Sequence, residues 1–476
     1  MKKLFLFSIV AILFAGCSKN NGGDEPIPAG GSTMSSFSFT AEGNTSISKT
    51  VTGRIGQIGS DYVIFITVDD DADITSLRPS FKVDQNAIVT YNGSPVADNS
   101  TAIDFSDRVE LTVTGENGSK RVYQVLCKRG MEKVDRLVYN FMLKYSIPGI
   151  SVAVSKDEEI VYSHGYGFAD QQTRELVTAD HLFRLGSVSK QQTSLCIMTL
   201  VEEGRLSLSD HLFGEGGILE EEFGTQMPQS AKKVTVKNLL EHNSGWSSDP
   251  VDPMFTADPN YDGKPLEEII AYVLANVPQS HTPGTVYDYY NLGFGMLGKV
   301  VEKISGKDFE SYLREEVLSR AGVTEIYIGG DRTGRRENEC VYYSQDGTNG
   351  YGNDMEMIKA AGGIIASAPA LMQLMANIDY GTKVPDILKK ETLDLMYRPS
   401  IPYEHYALGW RLDHTVFDNW ASYHSGNLAG TSAIWMRGYN GVSAVILCNS
   451  RSYLNDSGGT FDDYLYTLLE DIECQF

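Results

Sequence analysis

The hydrophobic pattern between residues 34 and 128 has the short period of β-strands. Apolar Val109, Leu111 and Val113 alternate with polar residues, and the dipeptide Asn117-Gly118 follows before the next apolar run. Alternate residues of a strand face opposite sides of a sheet, and Asn-Gly suits a tight turn, so this pattern predicts a β-hairpin. Further strands are predicted over residues 62–68, 87–91 and 121–126. The segment is therefore predicted to be an all-β domain.

From residue 131 onward the pattern mixes helices with strands. The apolar period predicts helices over 131–145 and 461–473, and strands over 150–154, 160–162, 408–410, 432–437 and 442–448. The region from 193 to about 374 is mainly helical. These elements predict an α+β domain over residues 131–476. The first and last strands share an antiparallel sheet flanked by helices, the middle forms a helical lobe, and a cleft lies between the two.

The amino terminus has the pattern of a targeting segment. Lys2 and Lys3 precede an apolar run over residues 4–15, and Cys17 follows in a sequence that resembles a bacterial lipobox. This resemblance implies a signal peptide over 1–16 and a lipid on Cys17; the alternative is an ordinary signal peptide in which Cys17 is incidental. Residues 17–33 are rich in Gly and Pro and predict a flexible tether. Since Ser18 follows the cysteine, the resemblance implies an outer-membrane lipoprotein of a Gram-negative cell envelope.

Composition excludes several classes of function. The formal net charge of -22 over 476 residues argues against nucleic-acid binding. Outside the amino terminus, no segment approaches the ~18 apolar residues of a membrane helix, so the predicted lipid is the only membrane anchor. The eight histidines are scattered without metal-ligand spacing, and no phosphate-binding glycine loop occurs. We therefore expect neither a metal nor a cofactor. The five cysteines after Cys17 are widely spaced and predict free thiols.

Ser187 and Lys190 are the first candidate catalytic pair. They stand one helical turn apart, at the start of an apolar segment that ends at Gly204. Residues at i and i+3 share a helix face, so a neutral Lys190 amine can take the Ser187 proton during attack on a carbonyl. The same spacing also occurs at residues 46–49 and 230–233, so the pair alone is weak evidence.

Two further motifs follow in order along the chain. Tyr289 and Asn291 come after a Pro-Gly turn and directly before an apolar helix, unlike the other Tyr-x-Asn matches at 351–353 and 453–455. His424, Ser425 and Gly426 form the only match in the chain to His/Lys-Ser/Thr-Gly, and they are predicted to lie on an edge strand beside the hairpin of residues 432–448.

These motifs together resemble the serine β-lactamase and penicillin-binding-protein superfamily, in its branch of class C β-lactamases, DD-peptidases and esterases. Residues 239–245, 361–367 and 408–410 resemble further short sequence motifs of the same family. The resemblance covers most of the chain and implies the β-lactamase/transpeptidase-like fold. It also implies a serine hydrolase, with a small-molecule or peptide substrate that includes peptidoglycan-derived peptides.

The resemblance also implies a role for each residue. Ser187 is acylated, Lys190 is the base, and Tyr289 relays a proton to the leaving group. Asn291 contacts a substrate amide or Lys190, and His424 faces the carboxylate or acyl oxygens of the substrate. Ser425 and Gly426 complete the substrate-binding strand. The backbone N–H groups of Ser187 and Asn427 form an oxyanion hole. A neighbouring cation such as Lys190 is expected to lower the pKa of Tyr289.

Each of these residues also has a purely structural explanation. Ser187 and Asn291 can cap helices, and Tyr289 and His424 can be core residues. We therefore hold two classes of function open: an acyl-transferring peptidase or esterase, with a class C-like β-lactamase as alternative, and an inactive envelope protein that binds a glycan or peptide. The domain over 34–128 resembles immunoglobulin-like sandwich modules. It is interpreted as a spacer, with glycan or wall binding as the alternative.

Overall fold

The computed structural model describes residues 31–414, 420–438, 440–454 and 459–476. The predicted signal peptide, Cys17 and most of the predicted tether lie outside the described residues. Two regions follow one another along the chain, an all-β domain and a larger α+β domain.

The first domain consists of two sheets around one apolar core. The strand orders are β2-β1-β5 and β3-β4-β9-β8-β6-β7, in which β4 and β9 pair in parallel. Phe37, Phe39, Phe105 and Val125 are fully buried between the sheets. The predicted strands over 62–68 and 109–114 correspond to β4 and β8. The strands are β1 (Met34–Phe39), β2 (Val51–Thr52), β3 (Arg54–Ile58), β4 (Asp61–Val68), β5 (Pro79–Val83), β6 (Ile88–Tyr91), β7 (Ser94–Pro95), β8 (Val109–Thr114) and β9 (Lys120–Arg129).

The second domain is built on a seven-stranded antiparallel sheet with the order β12-β11-β10-β20-β19-β18-β17. The first and last strands of the domain therefore meet in one sheet, as the sequence predicts. The remaining strands form small sheets at its margin. The strands are β10 (Gly149–Lys156), β11 (Glu159–Asp170), β12 (Glu175–Leu176), β13 (Phe183–Arg184), β14 (Ile326–Ile328), β15 (Tyr343–Ser344), β16 (Ile364–Ala366), β17 (Arg411–His414), β18 (Trp420–Leu428), β19 (Thr431–Arg437), β20 (Val442–Cys448) and β21 (Ser450–Arg451).

Helices cover both faces of this sheet. One face packs on α1 and α10, and the other packs on the helical lobe around α2 and α8. The predicted helix 461–473 is α10. The helices are α1 (Glu132–Tyr145), α2 (Ser189–Glu202), α3 (Glu220–Phe223), α4 (Val236–Leu240), α5 (Leu266–Asn276), α6 (Asn291–Ser305), α7 (Phe309–Tyr312), α8 (Ala368–Met375), α9 (Lys390–Met396) and α10 (Phe461–Glu473), with a π-helical turn at Leu313–Leu318.

Two predictions for the sheet need correction. Residues 408–410 do not form a strand but a turn, in which Gly409 has a φ of 80° and donates its N–H to the Leu240 carbonyl at 3.0 Å. The third motif, His424-Ser425-Gly426, lies on β18. This strand is not at the sheet edge, because β17 pairs with it. That pairing ends at Tyr423, so the motif itself still has a free edge.

The predicted domain boundary falls between β9 and α1, yet the two domains share a hydrophobic core. Ile58, Val63 and Phe65 of the first domain belong to the same buried cluster as α1. The Phe65 ring stacks on the Tyr139 ring with centroids 4.7 Å apart and planes 5° from parallel. Lys128 also forms an ion pair with Asp135 in α1. The first domain is therefore packed against the second, which a simple spacer does not require.

Candidate active site

Ser187 lies in a tight turn that presents its hydroxyl at the cleft. The chain leaves β13, turns through the 3₁₀ segment Gly186–Val188 and enters α2, which is buried over nearly its whole length. Gly186 has a φ of 52°, and a Cβ at this position would stand 2.6 Å from the backbone nitrogen of Asn427. Only glycine permits this conformation and this close approach together. The turn therefore holds Ser187 directly against the strand of the third motif.

Lys190 is completely buried beside Ser187. Its Nζ lies 3.0 Å from Ser187 Oγ, 2.7 Å from Asn291 Oδ1 and 2.8 Å from the Ala361 carbonyl oxygen. Burial, together with nearby Arg411, holds the Lys190 pKa well below its usual range, although Asp252 opposes the shift. A neutral amine has two N–H groups, and the two acceptor-only oxygens of Asn291 and Ala361 take both. The lone pair is then left to accept the Ser187 O–H, which is the arrangement of a general base.

Tyr289 stands on the other side of the nucleophile. Its hydroxyl donates to Ser187 Oγ at 2.8 Å. Burial raises the pKa of Tyr289, so the phenol stays protonated, whereas we expected a neighbouring cation to lower that pKa. The physical reason is that burial outweighs the hydrogen bond with Ser187 and the nearby Arg411 cation, both of which lower this pKa. Tyr289 is thus a hydrogen-bond donor at rest.

Asn291 links this pair to an acidic residue. It begins helix α6, and its Nδ2 donates to Asp252 Oδ2 at 2.6 Å while its Oδ1 faces Lys190. Ser248 Oγ also donates to Asp252. The Asp252 carboxylate thereby fixes the orientation of the Asn291 amide, which in turn fixes Lys190.

The third motif contributes backbone atoms to the site. A Cβ on Gly426 would stand 1.9 Å from the Leu185 carbonyl oxygen and 2.8 Å from the Ser187 nitrogen, so the strand touches the nucleophile turn. Among the strands described, none pairs with β18 on that side beyond Tyr423. The backbone nitrogens of Ser187 and Asn427 therefore both lie where this strand meets the turn that carries Ser187. An oxyanion hole requires two neighbouring backbone N–H groups, and these two remain its candidates.

The side chains of the third motif differ from the expectation. The His424 ring is 1% exposed, and both of its nitrogens are bonded within the protein, Nδ1 to the Ser425 carbonyl and Nε2 to the Tyr406 hydroxyl. Burial, with Arg411 and Lys190 nearby, holds the His424 pKa well below its usual range. Both ring nitrogens are thus engaged within the protein, and the contact of His424 with a substrate carboxylate or acyl oxygen stays a prediction. Ser425 and Asn427 direct their side chains to Asp462 of α10.

Arg411 is a functional candidate that sequence reasoning missed. It begins β17, its guanidinium lies 5.9 Å from the centre of the Tyr289 ring, and its Nε has no hydrogen-bond partner. No carboxylate among the described residues forms an ion pair with it. Arg411 directly follows residues 408–410, which resemble a short motif of the family, and this position could have indicated a functional role for it. The sequence pattern did not indicate Asp252 as a site residue, because it lies in a long loop without hydrophobic periodicity.

The other Ser-x-x-Lys matches lack this environment. Lys49 and Lys233 are exposed, and the ion pair with Glu132 raises the Lys49 pKa. Of the three matches, only the one at Ser187 buries its lysine amine and so removes it from water. No cluster of His, Cys, Asp and Glu within the described ranges could hold a metal ion. In the same part of the chain, no helix has both the length and the apolar composition to cross a membrane.

Comparisons with known proteins agree with this geometry. The family model described as Beta-lactamase matches residues 134–464, and one described as SGBP, N-terminal matches residues 38–127. A beta-lactamase of Lysobacter lactamgenus is 31% identical over 41% of this chain and 46% of its own length. A D-aminopeptidase of Brucella anthropi is 28% identical over 48% of this chain and 41% of its own. The chain thus matches less than half the length of either relative.

Solved structures share the fold. The octameric penicillin-binding protein homologue from Pyrococcus abyssi superposes with a TM-score of 0.57 at 25% identity, over 71% of this chain and 77% of its own. The β-lactamase/transpeptidase-like fold expected from the motifs is therefore confirmed for the second domain.

Proposed function

The chain belongs to the beta-lactamase family, whose model matches more than half of its residues, and on this premise we propose that it is a serine hydrolase acting through an acyl-enzyme on Ser187. The observation that carries the proposal is the buried Lys190 amine, 3.0 Å from Ser187 Oγ, with both of its N–H groups engaged elsewhere.

The residues support a balanced two-step reaction. Lys190 takes the Ser187 proton as Oγ bonds to the substrate carbonyl carbon, and the N–H groups of Ser187 and Asn427 stabilise the oxyanion. The intermediate then expels the leaving group, which takes the Tyr289 phenolic proton, and the protonated Lys190 amine gives the proton it took from Ser187 to the Tyr289 phenolate. Water attacks the ester by the reverse transfers and restores the Ser187 hydroxyl.

Arg411 supports a leaving group that carries a carboxylate. Since His424 is neutral and buried, Arg411 supplies the fixed positive charge next to Tyr289 on the sheet side of the cleft. A cavity of about 340 Å³ on this side is lined by Arg411 together with Asp413, Asp462 and Asp463, so its lining as a whole does not favour an anion. A peptide with a free terminal carboxylate matches the Arg411 charge next to Tyr289. We therefore favour a D-alanyl-D-alanine carboxypeptidase-like peptidase that also hydrolyses esters.

The class C-like β-lactamase is the first alternative, because a β-lactam also carries a carboxylate. Efficient antibiotic hydrolysis also needs fast deacylation of Ser187, and no residue of the site is specific to that step. We expect β-lactams to acylate slowly and to leave slowly. Steady-state rates on nitrocefin, p-nitrophenyl esters and D-Ala-D-Ala peptides distinguish the two activities; nitrocefin turned over orders of magnitude faster than the others favours the β-lactamase.

Asp252 supports a second candidate, a D-aminopeptidase. Its carboxylate accepts a hydrogen bond from Asn291 Nδ2, and its chain neighbours Pro253 and Met254 line a cavity of about 840 Å³ that Asp252 itself does not line. A substrate ammonium group on the acyl side would pair with this carboxylate. Hydrolysis of D-alanine p-nitroanilide, with loss of activity in Asp252→Asn, favours this candidate. Preference for N-acetylated D-Ala-D-Ala favours the carboxypeptidase.

Intact-mass spectrometry tests the common step. Wild-type protein exposed to a fluorophosphonate or a β-lactam should gain one adduct, and Ser187→Ala and Lys190→Ala should gain none. Lys233→Ala changes the lysine of an exposed Ser-x-x-Lys match and serves as the matched control that keeps the adduct. If folded wild-type protein forms no adduct, or if the adduct persists in Ser187→Ala, the site is an inactive pocket and the envelope binding protein is the better explanation.

We also propose that the protein is an outer-membrane lipoprotein of a Gram-negative envelope, anchored through Cys17. Support comes from the lipobox-like residues and the short apolar run before them. Incorporation of labelled palmitate that disappears in Cys17→Ser, together with recovery in the outer-membrane fraction, is the expected result. A soluble, unlabelled wild-type protein contradicts it.

A further inference from the structure

Three buried side chains form a continuous hydrogen-bond chain through the active-site region. The Tyr290 N–H donates to His242 Nδ1 at 3.1 Å, His242 Nε2 lies 3.1 Å from the Tyr406 hydroxyl, and that hydroxyl lies 3.0 Å from His424 Nε2. His424 Nδ1 lies 2.6 Å from the Ser425 carbonyl oxygen. The chain thus runs from the segment of Tyr289 to the strand of the third motif.

The two ends of the chain fix the position of every hydrogen in it. A backbone N–H only donates, so His242 Nδ1 accepts and His242 Nε2 carries the hydrogen. A carbonyl oxygen only accepts, so His424 Nδ1 carries the hydrogen and its Nε2 accepts. The Tyr406 hydroxyl therefore accepts from His242 and donates to His424. In their neutral forms, which burial favours, the two histidines therefore have opposite tautomers.

His242 holds the backbone on both sides of Tyr289. Its carbonyl accepts the Asp288 N–H at 2.7 Å, and its ring accepts the Tyr290 N–H. The His242 and Tyr289 rings are tilted against each other with centroids 4.2 Å apart. His242 has a φ of 52°, an uncommon conformation that these bonds maintain. The position of Tyr289 thus depends directly on His242.

The surroundings favour the neutral forms of the His242 and His424 rings. His242, Tyr406 and His424 are at most 1% exposed. Burial is the main cause that lowers the pKa of both rings, and the Arg411 guanidinium and, when it is protonated, the Lys190 amine act in the same direction. Tyr287 also faces His242, with ring centroids 6.1 Å apart. No carboxylate among the described residues bonds to either ring.

We propose that Tyr406 and His242 are positioning residues that set Tyr289 relative to the third-motif strand, with Tyr406 as the bridge between two neutral histidines. The role in turnover rests on the proposed function, whereas the bridge itself does not. The hydrogen-bond chain joins the segment after α4 to β18, so it connects the two sides of the cleft. His424 serves as an anchor of this chain and not as a ligand of the substrate.

The tautomers can be measured without any substrate. Long-range ¹H–¹⁵N spectra of protein labelled at histidine, assigned with His242→Asn and His424→Gln, should show the Nε2–H form of His242 and the Nδ1–H form of His424 at pH 7. An imidazolium signal, or the opposite tautomer at either residue, overturns the chain. The measurement holds even if Ser187 proves inactive, so it separates this proposal from the proposed function.

Kinetics of p-nitrophenyl acetate hydrolysis test the positioning role. Tyr406→Phe removes the bridge, and we expect kcat to fall by about 10- to 100-fold with KM nearly unchanged. The matched control is Tyr397→Phe, which removes a buried hydroxyl bonded to the Ile378 carbonyl and should retain kcat. Wild-type kcat in Tyr406→Phe, or an equal loss in both variants, overturns the role.

A second variant covers the case in which Tyr406→Phe does not fold. In His242→Asn, the amide oxygen of the shorter side chain can still accept the Tyr290 N–H, and asparagine tolerates the left-handed backbone. The side chain no longer reaches Tyr406. We expect the same selective loss of kcat, and an unchanged kcat contradicts the proposal.

Discussion

A methyl group on Gly426 is the sharpest test of how the third-motif strand and the nucleophile turn work together. The Cβ of Gly426→Ala would stand 1.9 Å from the Leu185 carbonyl oxygen, 2.8 Å from the Ser187 nitrogen and 2.9 Å from the Val188 nitrogen. All three are backbone atoms, so no side-chain rotation can relieve the contact. The strand and the turn must move apart.

The size of that movement follows from the distances. Ordinary van der Waals contact begins at 3.4 Å, so the pair at 1.9 Å must separate by about 1.5 Å. A displacement of about 1 Å in a catalytic group can cost about 100-fold in rate. We therefore expect kcat/KM for p-nitrophenyl acetate to fall by at least about 100-fold, which corresponds to about 2.7 kcal/mol in the barrier. Overpacking should cost a further ~1–3 kcal/mol of stability.

Steady-state hydrolysis and urea denaturation should be measured on the same preparations. The matched control is Gly293→Ala in α6, where the nearest atom to a new Cβ is Leu239 Cδ2 at 3.4 Å, an ordinary contact. This variant should keep its activity and its stability. If Gly426→Ala folds and retains wild-type kcat/KM, the backbone groups of Ser187 and Asn427 do not form the oxyanion hole, and the reasoning is refuted.

Three further perturbations have defined outcomes. Phe65→Ala should lower the free energy of unfolding by ~3–5 kcal/mol in urea denaturation because it opens the core shared with Tyr139, and a loss below ~1 kcal/mol would contradict a shared core. Burial raises the pKa of Glu473 to about 8, above its unfolded value of ~4.3, so its contribution to stability is full below pH ~4.3, declines as pH rises and is lost by about pH 8; Glu473→Gln should melt higher than wild type at pH 9 and lack this fall. Arg411→Ala should reduce kcat/KM for a D-Ala-D-Ala peptide by about 10- to 100-fold yet spare a neutral ester, and an equal effect on both would exclude a carboxylate contact.

Local spacing was sufficient to predict the helices and strands that carry the site. The periods around Ser187 and Tyr289 predicted helices close to α2 and α6, and the strand over 442–448 is β20. These features depend on residues within a few positions of one another, so the sequence contains them directly. The phrase at 408–410 failed as a strand because the Gly409 bond to Leu240, a contact distant in sequence, turns the chain there.

The charge state of the site was not predictable from the motifs. The expectation that a cation lowers the Tyr289 pKa is met only in part, because Arg411 lowers that pKa but burial outweighs it. His424 likewise has an ordinary sequence context, and only the tertiary structure shows that its ring is buried beside Tyr406. A pKa depends on solvent access and on charges brought in from other segments, which motif spacing does not encode.

The sequence by itself determined which residues can do the chemistry: a serine and a lysine one turn apart, then a tyrosine, then a glycine-containing strand motif. Tertiary structure alone decided which of the three Ser-x-x-Lys matches has a buried amine, because only Lys190 packs against Ala361 and Asn291. It also placed Arg411 and Asp252 around that pair and joined the two domains through one core. The physical reason is that reactivity depends on desolvation and on distances of about 3 Å between atoms far apart in the chain, and packing sets both.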